Sequence, residues 1–119
     1  MAKKEWIILN KEESKALFNE AQEKFPHLKT DEGIEAKAAL FKALGDETRL
    51  KIVSLLAVRE CCLCELVEAL GSVNSTVTHH LKLLERGGVI QSRREGKFTI
   101  YKLNPSIKNL DVLLGGGDS

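Results

Sequence analysis

Apolar positions recur at helical spacing through most of this chain and at strand spacing once, near residue 90. From about Asn74, Val77, Leu81 and Leu84 follow the i, i+4, i+7 rule and form one stripe. Opposite that stripe fall Ser75, His79, Lys82 and Arg86, none of them acidic. Ahead of this helix, Leu63–Leu70 is a shorter amphipathic run closed by Gly71, and Gly71-Ser72 makes a tight connection. Behind it, Gly87-Gly88 stops the helix. Val89–Arg94 and Phe98–Leu103, rich in β-branched and aromatic residues, flank Glu95-Gly96-Lys97 and predict a β-hairpin. Two short helices joined by a Gly-containing turn, then a hairpin with Arg93, Arg94 and Lys97 at its tip, predict a winged helix-turn-helix. The helix-turn-helix covers about 62–87 and the wing about 89–103.

The same reading extends to both ends. Residues 11–25 predict a helix with Leu17, Ala21 and Phe25 on one stripe and Phe18 beside it, ended by Pro26. Thr30 or Asp31 caps a second helix carrying Ile34, Ala38 and Phe41, and Gly45 stops it. Asp46 caps a third helix through about Ala57, with Leu50, Val53, Leu55 and Leu56 as its apolar set. Asn104-Pro105 opens a last helix with Ile107, Leu110 and Leu114 on one face. Trp6–Leu9 reads either as a strand or as an arm that packs on a partner. Gly115–Ser119 has nothing to pack and is expected to be a disordered tail. The elements add up to a mostly α fold with a small β-hairpin, one domain over residues 1–114. The stripes on the terminal helices, about 11–25 and 105–114, either complete the core or form a dimer seam.

Composition alters this picture little, but charge placement alters it more. With 119 residues, 43% of them hydrophobic and 29% charged, the chain suits one soluble domain with a modest core. No apolar run approaches the roughly 20 residues a bilayer demands, and the N-terminus lacks a signal-peptide pattern. Both point to a cytoplasmic protein without a membrane partner. The net charge is only +1, yet residues 72–110 carry seven basic side chains against two acidic ones. The positive charge therefore lies on the helix and wing, the footprint expected of a protein that binds double-stranded DNA. Asn74, Ser75, Thr76, Thr78 and His79 are placed to approach base edges. Lys82, Arg86, Arg93, Arg94 and Lys97 are placed to meet phosphate.

All three cysteines, Cys61, Cys62 and Cys64, lie within four residues. Thiolate is a soft ligand, so the cluster suits a soft metal or metalloid, or oxidation; the plain alternative is cysteine packed as a small hydrophobe. On one regular helix Cys61 and Cys64 share a side, while Cys62 lies about 160° from Cys64. Gathering all three sulfurs would then require the first turn to unwind. A helix N-terminus is expected to lower thiol pKa. Cys61 and Cys64 also satisfy C-x-x-C, which raises a dithiol oxidoreductase, but no strand alternation precedes them as that fold requires. His79 and His80, adjacent on a helix, diverge and make no metal pair; His80 lies nearer the buried stripe.

The runs K-A-L-G-D-E-T-R-L-K-I-V-S-L-L (42–56), E-C-C-L-C-E-L (60–66) and S-T-V-T-H-H-L-K-L-L-E-R-G-G-V-I (75–90) resemble the ArsR/SmtB family of winged-helix repressors. The resemblance covers roughly residues 32–105. It implies a homodimer through the terminal helices, bound to operator DNA without a cofactor and released by a thiol-binding inducer. Arsenite is the foremost candidate, then a soft divalent metal. Redox or persulfide sensing by the same cysteines is the alternative, and an enzyme is not expected. Cys62 and Cys64 match the two cysteines of the family's E-L-C-V-C-D-L motif. Cys61 stands where that motif has leucine, and Val67 where arsenite sensors often carry a third cysteine. Asn74 and Val73 stand where the family often has Gln and Ser. Arg49 corresponds to an arginine that is usually structural. The family's other zinc site needs histidine on the last helix, and residues 105–119 contain none.

Overall fold

The computed structural model describes residues 5–107 and 109–116. The chain forms two units, Met1–Lys37 and Ala38–Ser119. In the first, residues 5–10 are neither helix nor strand, and Trp6, Ile7 and Ile8 are almost fully exposed, so the strand reading of this run is not realised. Asn10 then starts helix α1 (Lys11–Lys24) with a reciprocal cap. The Glu13 N–H donates to Asn10 Oδ1 at 2.8 Å, and the Asn10 N–H donates to Glu13 Oε1 at 2.9 Å. Pro26 ends the helix as expected and begins a 3-10 turn over Pro26–Leu28. None of the residues of α1 is buried. Helix α2 (Asp31–Leu44) passes from this unit into the next.

The second unit holds the core. Asp46 caps α3 (Glu47–Val58) by accepting the Arg49 N–H at 3.0 Å. The buried face of α3 is Ile52, Val53 and Leu56 rather than Leu50, which stays 39% exposed. A two-residue strand β1 (Cys61–Cys62) precedes α4 (Leu63–Leu70). Gly71 closes α4 in the left-handed region at φ 61°, where a side chain would be strained. Helix α5 (Asn74–Arg86) sends Val77, Leu81 and Leu84 into the core, each at most 1% exposed. Gly87 follows for a different reason. A Cβ there would lie 2.5 Å from the Ala43 side chain, so its absence lets the end of α5 meet α2.

The wing is β2 (Ile90–Glu95) and β3 (Phe98–Leu103), antiparallel from Ile90↔Leu103 to Glu95↔Phe98. The expected hairpin is present, and β1 adds a third strand by pairing with β3 through Cys61↔Tyr101 and Cys62↔Ile100, giving the order β1-β3-β2. The last helix also differs from expectation. The Asn104 side chain donates to Gly88 O at 2.9 Å and accepts the Ser106 N–H at 2.9 Å, so it builds a turn instead of opening a helix. Helix α6 is only Leu110–Leu113. Leu110 is buried, and Ile107 and Leu114 pack on the same core. The stripe read as a dimer seam thus serves its own unit, while Val112 and Leu113 stay exposed. Gly115 and Gly116 donate backbone N–H groups to Val112 O and Asp111 O. The rest of the expected tail, 117–119, lies outside the described residues.

Candidate nucleic-acid interface and thiol pair

Burying Val77, Leu81 and Leu84 fixes the rotation of α5 and turns its polar side outward. Asn74, Ser75, Thr76, His79, Lys82 and Arg86 are all exposed, and Thr78 is half-buried. None has an acidic partner in an ion pair among the described residues. Val73 provides no side-chain cap, so the first turn of α5 is left without one. His80, on the flank of the helix, takes the structural place expected of it. Its Nδ1 lies 3.2 Å from Arg49 Nη1 and 3.8 Å from an Asp46 oxygen. Arginine is always a donor, so Nδ1 accepts and the neutral ring carries its proton on Nε2. Arg49 Nε donates to Ala43 O at 2.7 Å. One arginine thereby ties α2, α3 and α5 together. The Arg49 N–H, and then the guanidinium charge, hold the Asp46 carboxyl below its usual range.

The three wing cations are not equivalent. Arg93 is held between two carboxylates, 2.7 Å from Glu60 Oε1 and 2.7 Å from Glu95 Oε2. Those charges raise its pKa further, Glu60 first. Its charge is already matched within the protein by these two carboxylates. Adjacent strand residues face opposite ways, and Arg94 takes the other side. Arg94 Nη1 lies 3.3 Å from Thr99 Oγ1, and Lys97 Nζ sits 5.7 Å from the Phe98 ring centre. Neither has a carboxylate partner among the described residues. The run of basic letters in the sequence carries no signal for this difference, which depends on β1 bringing Glu60 beside the wing.

The cysteines separate in the same way. The sequence reading puts all three on a helix, but α4 begins at Leu63, and Cys61 and Cys62 belong to β1. Strand alternation sends the two to opposite faces. Cys61 is half-buried against the core, its Sγ 3.5 Å from Arg59 O, while Cys62 is buried and only 8% exposed. Cys62, at the N-cap of α4, meets Cys64 with 2.8 Å between the sulfurs. No unwinding is needed to join these two, and the C-x-x-C partners Cys61 and Cys64 are not the pair that meets. Among the described residues no group of three or more His, Cys, Asp or Glu side chains is gathered to hold a metal ion. Glu65 supports the pair by accepting the Cys62 N–H at 2.9 Å. Its place three residues after the cap was the available sequence signal.

The thiol pKa shifts run against the sequence expectation. The neighbouring Cys64 sulfur pushes the Cys62 thiol up, because a shared proton favours the neutral form, and this outweighs the helix-end N–H of Glu65. Burial, and then the charge of Glu65, raise Cys61. A groove of about 310 Å³ is lined by Cys62, Cys64, Asn74, Arg94, Lys97 and Thr99, with Leu63 and Phe98 completing it. No helix among the described residues is long and apolar enough to cross a membrane.

Residues 46–92 match the model of the bacterial regulatory protein arsR family. An uncharacterized HTH-type transcriptional regulator of Methanocaldococcus jannaschii is 39% identical over 71 residues, 59% of this chain and 80% of that protein. The arsenical resistance operon repressor of Escherichia coli is 45% identical over 69 residues, 57% of this chain and 59% of the repressor. A cadmium resistance transcriptional regulatory protein CadC homolog of Staphylococcus aureus is 41% identical over 68 residues, 56% of each chain. The chain therefore spans somewhat over half the length of these two resistance regulators. Among solved structures, the homodimeric winged helix-turn-helix DNA-binding domain of a Mycobacterium bovis protein superimposes with a TM-score of 0.61 at 29% identity. That match covers 69% of this chain and 74% of that one. With the winged helix in place and the family match running through α3, α4, α5 and into the wing, the chain belongs to the ArsR family, whose members are DNA-binding transcriptional regulators and not enzymes.

Proposed function

We propose that this protein is a transcriptional repressor that binds operator DNA as a homodimer and leaves it when a soft thiol-binding ion, arsenite foremost, reaches Cys62 and Cys64. The observation that carries the reading is the 2.8 Å sulfur pair at the start of the helix that leads into the exposed face of α5. Asn74, Ser75, Thr76, Thr78 and His79 approach base edges, and Lys82, Arg86, Arg94 and Lys97 meet phosphate, with Arg93 secondary. Two copies of α5 would enter successive major grooves about 34 Å apart on a near-palindromic site. The exposed Leu17, Phe18 and Phe25 of the first unit, and Val112 and Leu113 of the second, supply apolar surface for a second copy. The homodimeric Mycobacterium bovis domain supports this assembly, and the arsenical and cadmium regulators support the inducer class.

The donor set fits a two-sulfur ligand. Arsenous acid condensing with two thiols releases two waters and keeps one As–OH, whereas Cd(II) displaces two thiol protons. Proton release therefore separates the two inducers. The test is binding of the upstream region of the protein's own gene, with and without arsenite, Cd(II), Zn(II) and an oxidant. Release by arsenite that survives Cys61→Ser and is lost in Cys62→Ser and Cys64→Ser is the expected result. Release that persists in the triple variant would remove the cysteines from sensing. The contact of Cys62 with Cys64 also favours a second reading, in which an oxidant is the inducer, and the oxidant arm reports on it.

A further inference from the structure

The repressor reading leaves open how the thiol site acts on DNA binding, and one groove suggests an answer that rests on that reading. Cys62 and Cys64 line it together with Asn74, at the start of α5, and with Arg94 and Lys97 of the wing. Cys64 is exposed at its edge, and Arg94 and Lys97 are exposed without a carboxylate partner among the described residues. An amide side chain and two free cations around one depression suit a phosphodiester. Of the two thiols that line this depression, Cys64 is exposed and Cys62 is buried beneath it at 2.8 Å. Cys61, one residue away, is half-buried and does not line this groove.

We propose that a DNA phosphate and a ligand on Cys62 and Cys64 compete for this groove. Bound DNA then shields the two thiols, and an adduct on the sulfurs, neutral or charged, occupies the place of the phosphate; negative charge on the adduct adds repulsion. Arg94 and Lys97 act as phosphate anchors and as counter-charges for whatever the thiols carry. This mechanism differs from distortion of α4 in one measurable respect. Distortion depends on the size of the adduct alone, whereas competition at the cations depends on its charge as well.

Alkylation of the full chain tests this. Duplex DNA carrying the upstream region of the protein's own gene is first shown to bind by fluorescence anisotropy. Iodoacetamide labelling of each cysteine is then followed by peptide mass spectrometry with and without saturating duplex. Labelling of Cys64 is expected to slow about tenfold on DNA while the rate at Cys61 stays unchanged. A chain that binds the duplex yet labels Cys64 at the free rate overturns the shared groove alone. A chain that binds no duplex overturns the repressor reading and the inference with it. In a second arm the thiols of the Cys61→Ser chain carry either carboxymethyl or carboxamidomethyl groups, near-equal in size and different in charge. The charged adduct is expected to bind DNA about tenfold more weakly than the neutral one, and Lys97→Ala to narrow that gap. Equal affinities for the two adducts would overturn the proposal.

Discussion

Helices α1 and α5 are nearly equal in length, 14 and 13 residues, and each carries apolar residues at helical spacing. Their fates differ. On α5 the stripe of Val77, Leu81 and Leu84 is at most 1% exposed. On α1 Leu17 and Phe18 remain 55% and 63% exposed, and nothing on the helix is buried. Periodicity shows that a helix has an apolar face; it does not say what covers that face. For α5 the cover is its own unit, and the polar side is what remains for a partner. For α1 the apolar side itself remains, and on the dimer reading a second chain covers it.

Substitution in the two stripes separates these cases most strongly. Leu81→Ala should cost about 2–5 kcal/mol of unfolding free energy, because it leaves a cavity among fully buried side chains. Urea unfolding of the purified chain measures it, and a loss below about 1 kcal/mol would show α5 to be loosely packed. Leu17→Ala with Phe18→Ala should leave the stability of the dilute monomer within about 0.5 kcal/mol for each change. The same pair should weaken dimerisation by about 1.5–3 kcal/mol for each side chain that the dimer buries, read by sedimentation. An unchanged dimer would place the seam elsewhere.

Two smaller effects probe the anchoring and the polar face of α5. Asp46→Ala should cost about 1 kcal/mol at neutral pH through loss of the α3 cap. The pKa of Asp46 is lowered in the folded chain, so its contribution is present above the ordinary carboxylate pKa and lost as pH falls through the lowered value. The gap between variant and parent should therefore shrink as pH falls below the ordinary carboxylate range. A gap that is constant in pH would show that the cap works without its charge. Least in size, Lys97→Ala should reduce the salt slope of DNA binding by about 0.9, and Arg93→Ala should change it less. Equal slopes for the two would mean that the Glu60–Arg93 contact opens on DNA.

The winged fold was legible because α4, α5 and the wing satisfy the helix and strand periods within one compact unit. The outward polar residues of α5 are legible for the same reason, since burial of one stripe dictates the other. Four features were not legible. Ile52 displaced Leu50 from the core of α3, because the packing of a short, mostly apolar helix is chosen by its neighbours. Asn104-Pro105 has the chemistry of a helix start, but Gly88 O captured the asparagine. The departure of Cys61 and Cys62 from the helix is not legible because two residues are too few to announce a strand, and β1 is specified by its partner β3. Arg93 looked equal to Arg94 because its carboxylate Glu60 is distant in sequence and near only through that pairing.

The shortness of β1 has a consequence for how tolerant the thiol site is to error. A strand that pairs through two residues holds its alignment weakly, and a slip of one residue exchanges the faces. In most sequences such a slip would leave the groove without sulfur. Here the doublet Cys61-Cys62 makes the two alignments chemically alike at that position, since whichever residue takes the place beside Cys64 is a cysteine. The repeated letter works as a spare: a one-residue slip of β1 would change which sulfur lines the groove and still leave one there.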